Sequence, residues 1–311
     1  MFMPVSNLED RWPPLELDQW RETRDTLHLW TQIAGKLKVE LAPFQNQLWQ
    51  TALTLTARGL TTGPLPAGDE TLQADFDFID HQFTLQTASG GRKSIPLYPR
   101  SVADFYGEVM GCLVALGTPV TIDTQPQEIP GDTTPLNEDS THQRYDAAAA
   151  HRWWRIMLSS TRVIEEHRQW FTGKTSSALF YWGSFDLSVA RYNGAPCAPP
   201  ARGGYLRRVA ECETNWTAGF WPGSGAISYP AYYAYAYPQP AGFEHAPVQP
   251  RGAAWNAEMG EYLLPYDDVR AAADPTAALR AFLQSTYEAA ANLGGWDRSA
   301  LEITQIPRPR R

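Results

Sequence analysis

Thr172 to Arg191 reads TGKTSSALFYWGSFDLSVAR, and this stretch gathers Lys174, Asp186, Arg191 and several aromatic side chains into one run. Residues 178–190 are rich in aromatic and β-branched side chains and contain no proline, which predicts an extended strand. Gly183 lies inside it, and a strand-interior glycine marks a bulge or a close backbone approach. From that irregular point Asp186 would be aimed as a carboxylate, either into a site or into an ion pair with a nearby Arg or Lys.

Working outward, the chain before this stretch reads as helix, strands, helix. Leu17 to Leu37 spaces Trp20, Arg24, Leu27, Trp30 and Ile33 at three- and four-residue steps, the pattern of an amphipathic helix capped by Asp18 and stopped at Gly35. His28 falls near its apolar stripe, as a buried backbone-bonded histidine or as a ligand or base. Trp49 to Arg58 alternates apolar and polar residues and reads as a strand with Arg58 on the polar face. Thr71 to Leu97 reads as a meander, Leu72–Ile79, Phe83–Thr87 and a strand to Leu97. There Phe76 and Phe78 share one face and Asp75, Asp77 and His81 the other. That O,O,N set has metal-ligand chemistry, but acidic residues on a wet strand face need no metal, and no metal or other cofactor is expected. Ser101 caps a helix to Gly117, and Pro119–Asp123 reads as a closing strand.

Residues 124–145 are rich in Pro, Asp and Thr without periodicity and read as a linker. Beyond it, Asp146 to Phe171 forms a long helix, strands follow near Arg207–Trp216, Tyr229–Tyr237 and Glu261–Leu264, and Asp274-Pro275 starts a last helix. Gly35-Lys36 and Gly173-Lys174 end the first helix of each half, and Ala57-Arg58 and Ala190-Arg191 end the strand after it. This pairing suggests an internal duplication. The fold expected is α+β, with halves 1–123 and 146–311, each an antiparallel sheet packed against two helices.

Several runs resemble those of a bacterial domain family of unknown function. They are His28-Leu-Trp-Thr-Gln32, Leu55-Thr-Ala-Arg-Gly-Leu60, Phe76-Asp-Phe-Ile-Asp-His81, Trp182-Gly-Ser-Phe-Asp-Leu187, Gly219-Phe-Trp-Pro-Gly223, Leu264-Pro-Tyr-Asp-Asp-Val-Arg270 and Phe282-Leu-Gln-Ser-Thr-Tyr-Glu288. The similarity covers nearly the whole chain and implies no known activity. Family members tend to carry Ser-His-Glu before the GFWPG run where this chain has Cys212-Glu213-Thr214, so a histidine-based mechanism at that point does not carry over.

Composition narrows the classes. A chain of 311 residues with formal net charge -8 lacks the basic footprint of a nucleic-acid or anionic-membrane partner. No apolar run approaches the roughly 20 residues that span a bilayer. Three cysteines without CxxC spacing, and no secretory leader pattern, point to the cytoplasm. The basic tail Pro307 to Arg311 reads as a solvated end.

GxSxG, HExxH and P-loop signatures are absent, and Cys212 has no histidine beside it in sequence. The functional expectation is a small-molecule-binding protein in which Arg58, Lys174 and Arg191 hold a carboxylate or phosphate. Trp182 and Trp221, with Tyr233, Tyr235 and Tyr237, wall its pocket, and His28 and His81 stand by. A catalytic version, of hydrolase or transferase type, adds Asp186 and Glu213 as acid or base. The alternative is a non-catalytic interaction protein in which the same aromatics pack an interface and the charges form ion pairs.

Overall fold

The computed structural model describes residues 11–129, 131, 134–201, 204–225 and 227–307; the tail expectation at Arg308 to Arg311 lies outside them, as do Pro130, Asp132 and Thr133 of the segment read as a linker. Two antiparallel sheets with helices make the protein α+β. The chain forms two compact units, and neither is one run of sequence. The first comprises Leu15–Leu158 and Leu179–Asp186, the second Met1–Pro14, Ser159–Ala178 and Leu187–Arg311.

The first unit opens with helix α1, Leu17–Leu41. It buries Trp20, Leu27, Trp30, Ile33 and Leu37 on the expected stripe. Neither predicted boundary device operates. Glu16 precedes the helix without a side-chain cap and Asp18 lies in the first turn. The helix also runs through Gly35 and stops at Ala42, the residue before Pro43, where the proline ring disfavours helical backbone. Gly35 serves packing instead: a Cβ there would lie 2.2 Å from the Trp182 indole.

The sheet of this unit contains β1 (Thr54–Leu55), β2 (Gly59–Thr61), β3 (Leu65–Ala67), β4 (Glu70–Asp77), β5 (Gln82–Thr87) and β6 (Arg92–Pro96), in the order β1-β2-β4-β5-β6 with β3 on β4. Alternation along β4 buries Leu72, Ala74 and Phe76 and leaves Gln73, Asp75 and Asp77 half-exposed. The expected strand Trp49–Arg58 is mostly something else, a 3-10 helix over Asn46–Thr51 followed by the short β1. Just before the expected strand Gln47 and Leu48 take left-handed backbone, and the 3-10 helix carries on through residues 49–51. Pro119–Asp123 is likewise irregular rather than a strand. Helix α2, Val102–Ala115, is capped as expected by Ser101, whose hydroxyl accepts from the Asp104 amide at 3.0 Å. Trp30 stacks on Phe105 at 4.7 Å, and Phe83 meets Phe76 at 4.6 Å, joining helix and sheet in one aromatic core.

The segment after α2 lies along α1. Gln127 and Gln32 exchange hydrogen bonds of 2.7 and 2.9 Å, and the amides of Arg144 and Asp146 donate to Thr26 and Thr23. Helix α3, Ala147–Arg168, follows.

The expected strand over 178–190 is a hairpin. β7 (Leu179–Tyr181) and β8 (Asp186–Pro196) flank a turn whose last residue, Phe185, has φ 61 and donates its amide to Tyr181 O at 2.8 Å. Aromatic and β-branched residues fit both strands equally, so composition hides the Gly183-Ser184 turn between them. Phe185 is held in this uncommon conformation by burial, its ring stacked on Trp153 at 4.8 Å.

In the second unit, β9 (Glu213–Trp221), β10 (Ala231–Tyr237), β11 (Ala254–Asn256) and β12 (Glu261–Pro265) form an antiparallel sheet with β8 in the order β11-β12-β10-β9-β8. β8 continues past Arg191 to Pro196 instead of ending there, and Thr175 lies opposite Arg191 in an antiparallel bridge, so the segment carrying Lys174 folds back beside the middle of β8. Arg207, expected near a strand start, belongs to the short helix α4, Tyr205–Ala210. Helix α5 (Tyr266–Arg270) leads to α6 (Pro275–Leu293), where Asp274 caps the amide of Ala277 at 3.0 Å and proline occupies the first turn, as expected. No helix of the described residues is long and apolar enough to cross a membrane.

Candidate functional site

Five consecutive residues of the first unit, Trp182 to Asp186, form the β7–β8 turn and the first residue of β8, and bring together most of the chemistry of that unit. Trp182 anchors the turn: its indole fills the gap left by Gly35, and its N–H donates to Thr51 O at 2.8 Å. The ring is therefore committed to packing rather than presented as a stacking wall. Next comes Gly183, whose carbonyl lies 2.9 Å from His28 Nε2. A carbonyl only accepts, so that nitrogen carries the proton and His28 is the neutral Nε2–H form. Burial pulls its pKa down to about 4, against the raising effect of the Gly183 bond.

Gly183 also makes room for a residue that sequence reasoning missed. A Cβ there would meet Glu128 Oε2 at 2.7 Å, so the carboxyl of Glu128 occupies the place of a side chain at 183. Glu128 has φ 56. Loss of water around its carboxyl, and secondarily the charge of Asp186, push its pKa above the ordinary glutamate range. Asp186 is buried and accepts a short hydrogen bond from the Ser184 hydroxyl, while Ser184 itself is exposed at the tip of the turn. Nearby, Lys36 is buried with its ammonium 6.0 Å from the Trp182 ring and 3.5 Å from Asp123. Burial lowers the pKa of Lys36 and Asp123 partly restores it.

Two neighbouring carboxyls in unlike surroundings can separate into one group that keeps its proton and one that stays charged, the arrangement used for acid–base work. His28, with its pKa near 4, is a weak base, and its Nε2 proton is engaged by Gly183. Its contribution is to hold the Gly183 carbonyl and so fix the turn. No periodicity or motif marks Glu128 in the sequence. The one available signal was Gly183, which announced a close approach without saying by what.

The other expected site residues lie elsewhere. In the first unit Arg58 bonds Asp77 and Asp80 and is half solvent-exposed. His81 does not continue the strand face of Asp75 and Asp77: it sits in the turn with φ 51 and bonds Tyr145 Oη through Nδ1 at 2.9 Å. Asp75 is taken up by Gln73 and Gln86. No group of three or more His, Cys, Asp or Glu among the described residues could hold a metal ion.

In the second unit the structure brings Lys174 and Glu213 together as a half-buried ion pair, with the Lys174 ammonium 4.8 Å from the Tyr192 ring. Arg191, 2 % exposed, donates to His167 O at 2.7 Å and to His167 Nδ1 at 3.1 Å. Its guanidinium lies 4.2 Å from the Tyr287 ring, 5.1 Å from Phe171 and 5.6 Å from Trp216. Burial pulls its pKa down to about 10, which leaves it charged at neutral pH. Trp221 packs with Tyr235 against Ile227, Tyr233 and Leu263.

The chain belongs to DUF5996, a family of unknown function, which it matches over residues 12–303. No curated protein and no solved structure matches it.

Proposed function

We propose that this is a cytoplasmic small-molecule-binding enzyme whose first unit performs acid–base chemistry, of hydrolytic or group-transfer type, at the Trp182–Asp186 turn. Glu128 is the general acid and Asp186 the charged partner that keeps its proton in place. The observation that carries this reading is the Glu128 carboxyl lodged over Gly183 near Asp186: the residue as a whole is exposed, but loss of water at its carboxyl and the charge of Asp186 raise its pKa. Left-handed backbone at both Glu128 and Phe185 supports it, since such conformations cluster where a site needs a fixed geometry. The substrate is a neutral or cationic molecule bearing hydroxyl or amino groups, because a carboxyl pair repels an anion. Arg58 and Lys174 favour no anion either, each having a carboxylate partner within its own unit. A cytoplasmic setting is supported by three cysteines, none of them in a disulfide. A duplicated ancestor for the two units is supported by the antiparallel sheet in each.

Carboxyl-detected NMR titration, combined with a thermal-shift panel of amines and polyols, tests the reading. Glu128 should titrate above the roughly 4.3 of an ordinary glutamate. At least one compound should stabilise the wild type and fail to stabilise a folded Glu128→Gln variant. An ordinary Glu128 titration together with no stabilising compound would sink it.

A further inference from the structure

A different region, the open end of the β8–β9 hairpin in the second unit, places two thiols together. After an irregularity beyond Tyr192 the strands regain register with Pro196 opposite Glu213. One step further along, the Cys197 amide donates to Cys212 O at 3.1 Å. The two cysteines therefore oppose each other across an antiparallel pair, with side chains on the same face. Hydrogen-bonded partners in such a pair have Cα atoms about 5.5 Å apart, within the separation commonest for disulfides. The Cys197 thiol points the right way: it lies 3.6 Å from the carbonyl oxygen of Glu211, whose peptide carries the Cys212 amide. Cys212 is exposed and Cys197 half-buried, so one sulfur is open to a small reagent and the other waits behind it. Cys112 sits in helix α2 of the first unit.

We propose that Cys197 and Cys212 form a reversible thiol–disulfide couple, oxidised by a small disulfide of the glutathione type, whose closure ties off the loop 198–211 that contains α4. The exposed Cys212 attacks first. Its thiolate displaces one glutathione thiolate from oxidised glutathione and becomes a mixed disulfide. Cys197 then loses its proton to solvent, and its sulfur attacks Cys212 Sγ and expels the second glutathione. Two protein thiols are oxidised and one oxidised glutathione is reduced to two thiols, so electrons and protons balance. Burial raises the Cys197 thiol pKa, which suits it to the second, intramolecular step, where proximity replaces thiolate abundance.

The experiment equilibrates the full chain in oxidised glutathione, blocks remaining thiols by alkylation and maps peptides by mass spectrometry without reduction. The expected result is a Cys197–Cys212 cross-linked peptide, with Cys112 alkylated and no glutathione retained on Cys212. Cys197→Ser should instead keep glutathione on Cys212 as a lasting adduct, and dithiothreitol should reverse both products. The proposal is overturned if wild type retains glutathione on Cys212 as the variant does, or if both thiols stay alkylatable. Neither outcome depends on the acid–base reading of the first unit.

Discussion

Arg58 and Arg191 follow alanine in the same way, yet they live in opposite surroundings. Arg58 is half exposed and shared between Asp77 and Asp80. Arg191 is buried, has His167 and three aromatic rings for company, and leaves its Nε without a partner. An Ala-Arg pair reports a charge and nothing about the dielectric around it. The difference arises from what packs over each arginine: solvent and two carboxylates around Arg58 in the β1–β2 turn, helices α3 and α6 over Arg191 in the middle of β8. Exposed ion pairs are worth about 0–1 kcal/mol, whereas a buried guanidinium sits in a slot shaped for it.

The comparison is broken most easily at Arg191. Arg191→Ala leaves a void beside Tyr287, Trp216 and Phe171 and strips His167 O of its donor, and should cost about 3 kcal/mol in urea unfolding. No carboxylate is hydrogen-bonded to Arg191 among the described residues, so the cost is one of packing and of the lost His167 bonds, with no carboxylate left stranded. Arg191→Met should therefore recover most of it. If Arg191→Ala costs no more than Arg58→Ala, the contrast between the two settings is wrong.

A second test uses the histidines. His28 stays neutral through burial, which outweighs the raising effect of its bond to Gly183, while His167 is held neutral by burial and by Arg191. The folded protein keeps His28 unprotonated to about pH 4, whereas the unfolded chain takes up a proton near 6.5. Stability from this group is thus complete above pH 6.5 and falls as pH drops through 4, by about 3 kcal/mol in all. His28→Gln should flatten that part of the urea-midpoint profile, and an unchanged slope would remove His28 as its source. Arg191→Met should raise the His167 pKa by NMR, and Arg58→Ala should leave His28 alone.

The smallest effect is expected at Arg58. Arg58→Ala should barely move the urea midpoint, and 1 M salt should erase even that shift. A larger, salt-resistant loss would bring the two arginines closer together than their surroundings suggest.

Much of the fold was legible because it follows from local rules. Period-two alternation located β4 and β5, Ser101 and the Asp274-Pro275 pair marked helix starts, and the α1 stripe named the residues that are buried. What failed was set by distant partners. Gly35 does not stop α1, because the helix continues over a slot filled by a tryptophan well over a hundred residues later. The 178–190 strand is a hairpin because nothing local distinguishes two aromatic strands from one long one. Of the candidate site, Asp186, Trp182 and His28 were named from sequence and are found around one turn. Glu128 was not, since its role exists only through its contact with Gly183. The anion-binding cations were grouped by charge, and charge alone does not show which already has a partner.

The division of the chain sets an order of events during synthesis. Residues Leu179–Asp186 complete the first unit, yet they leave the ribosome after Ser159–Ala178, which belong to the second. Until they emerge, Gly35 faces an empty groove, the His28 N–H lacks the Gly183 carbonyl and Glu128 has nowhere to lodge its carboxyl. A nascent chain halted at Ala178 would hold helix α1 and the meander but none of the turn, so the acid pair comes into being only once the ribosome has passed Asp186.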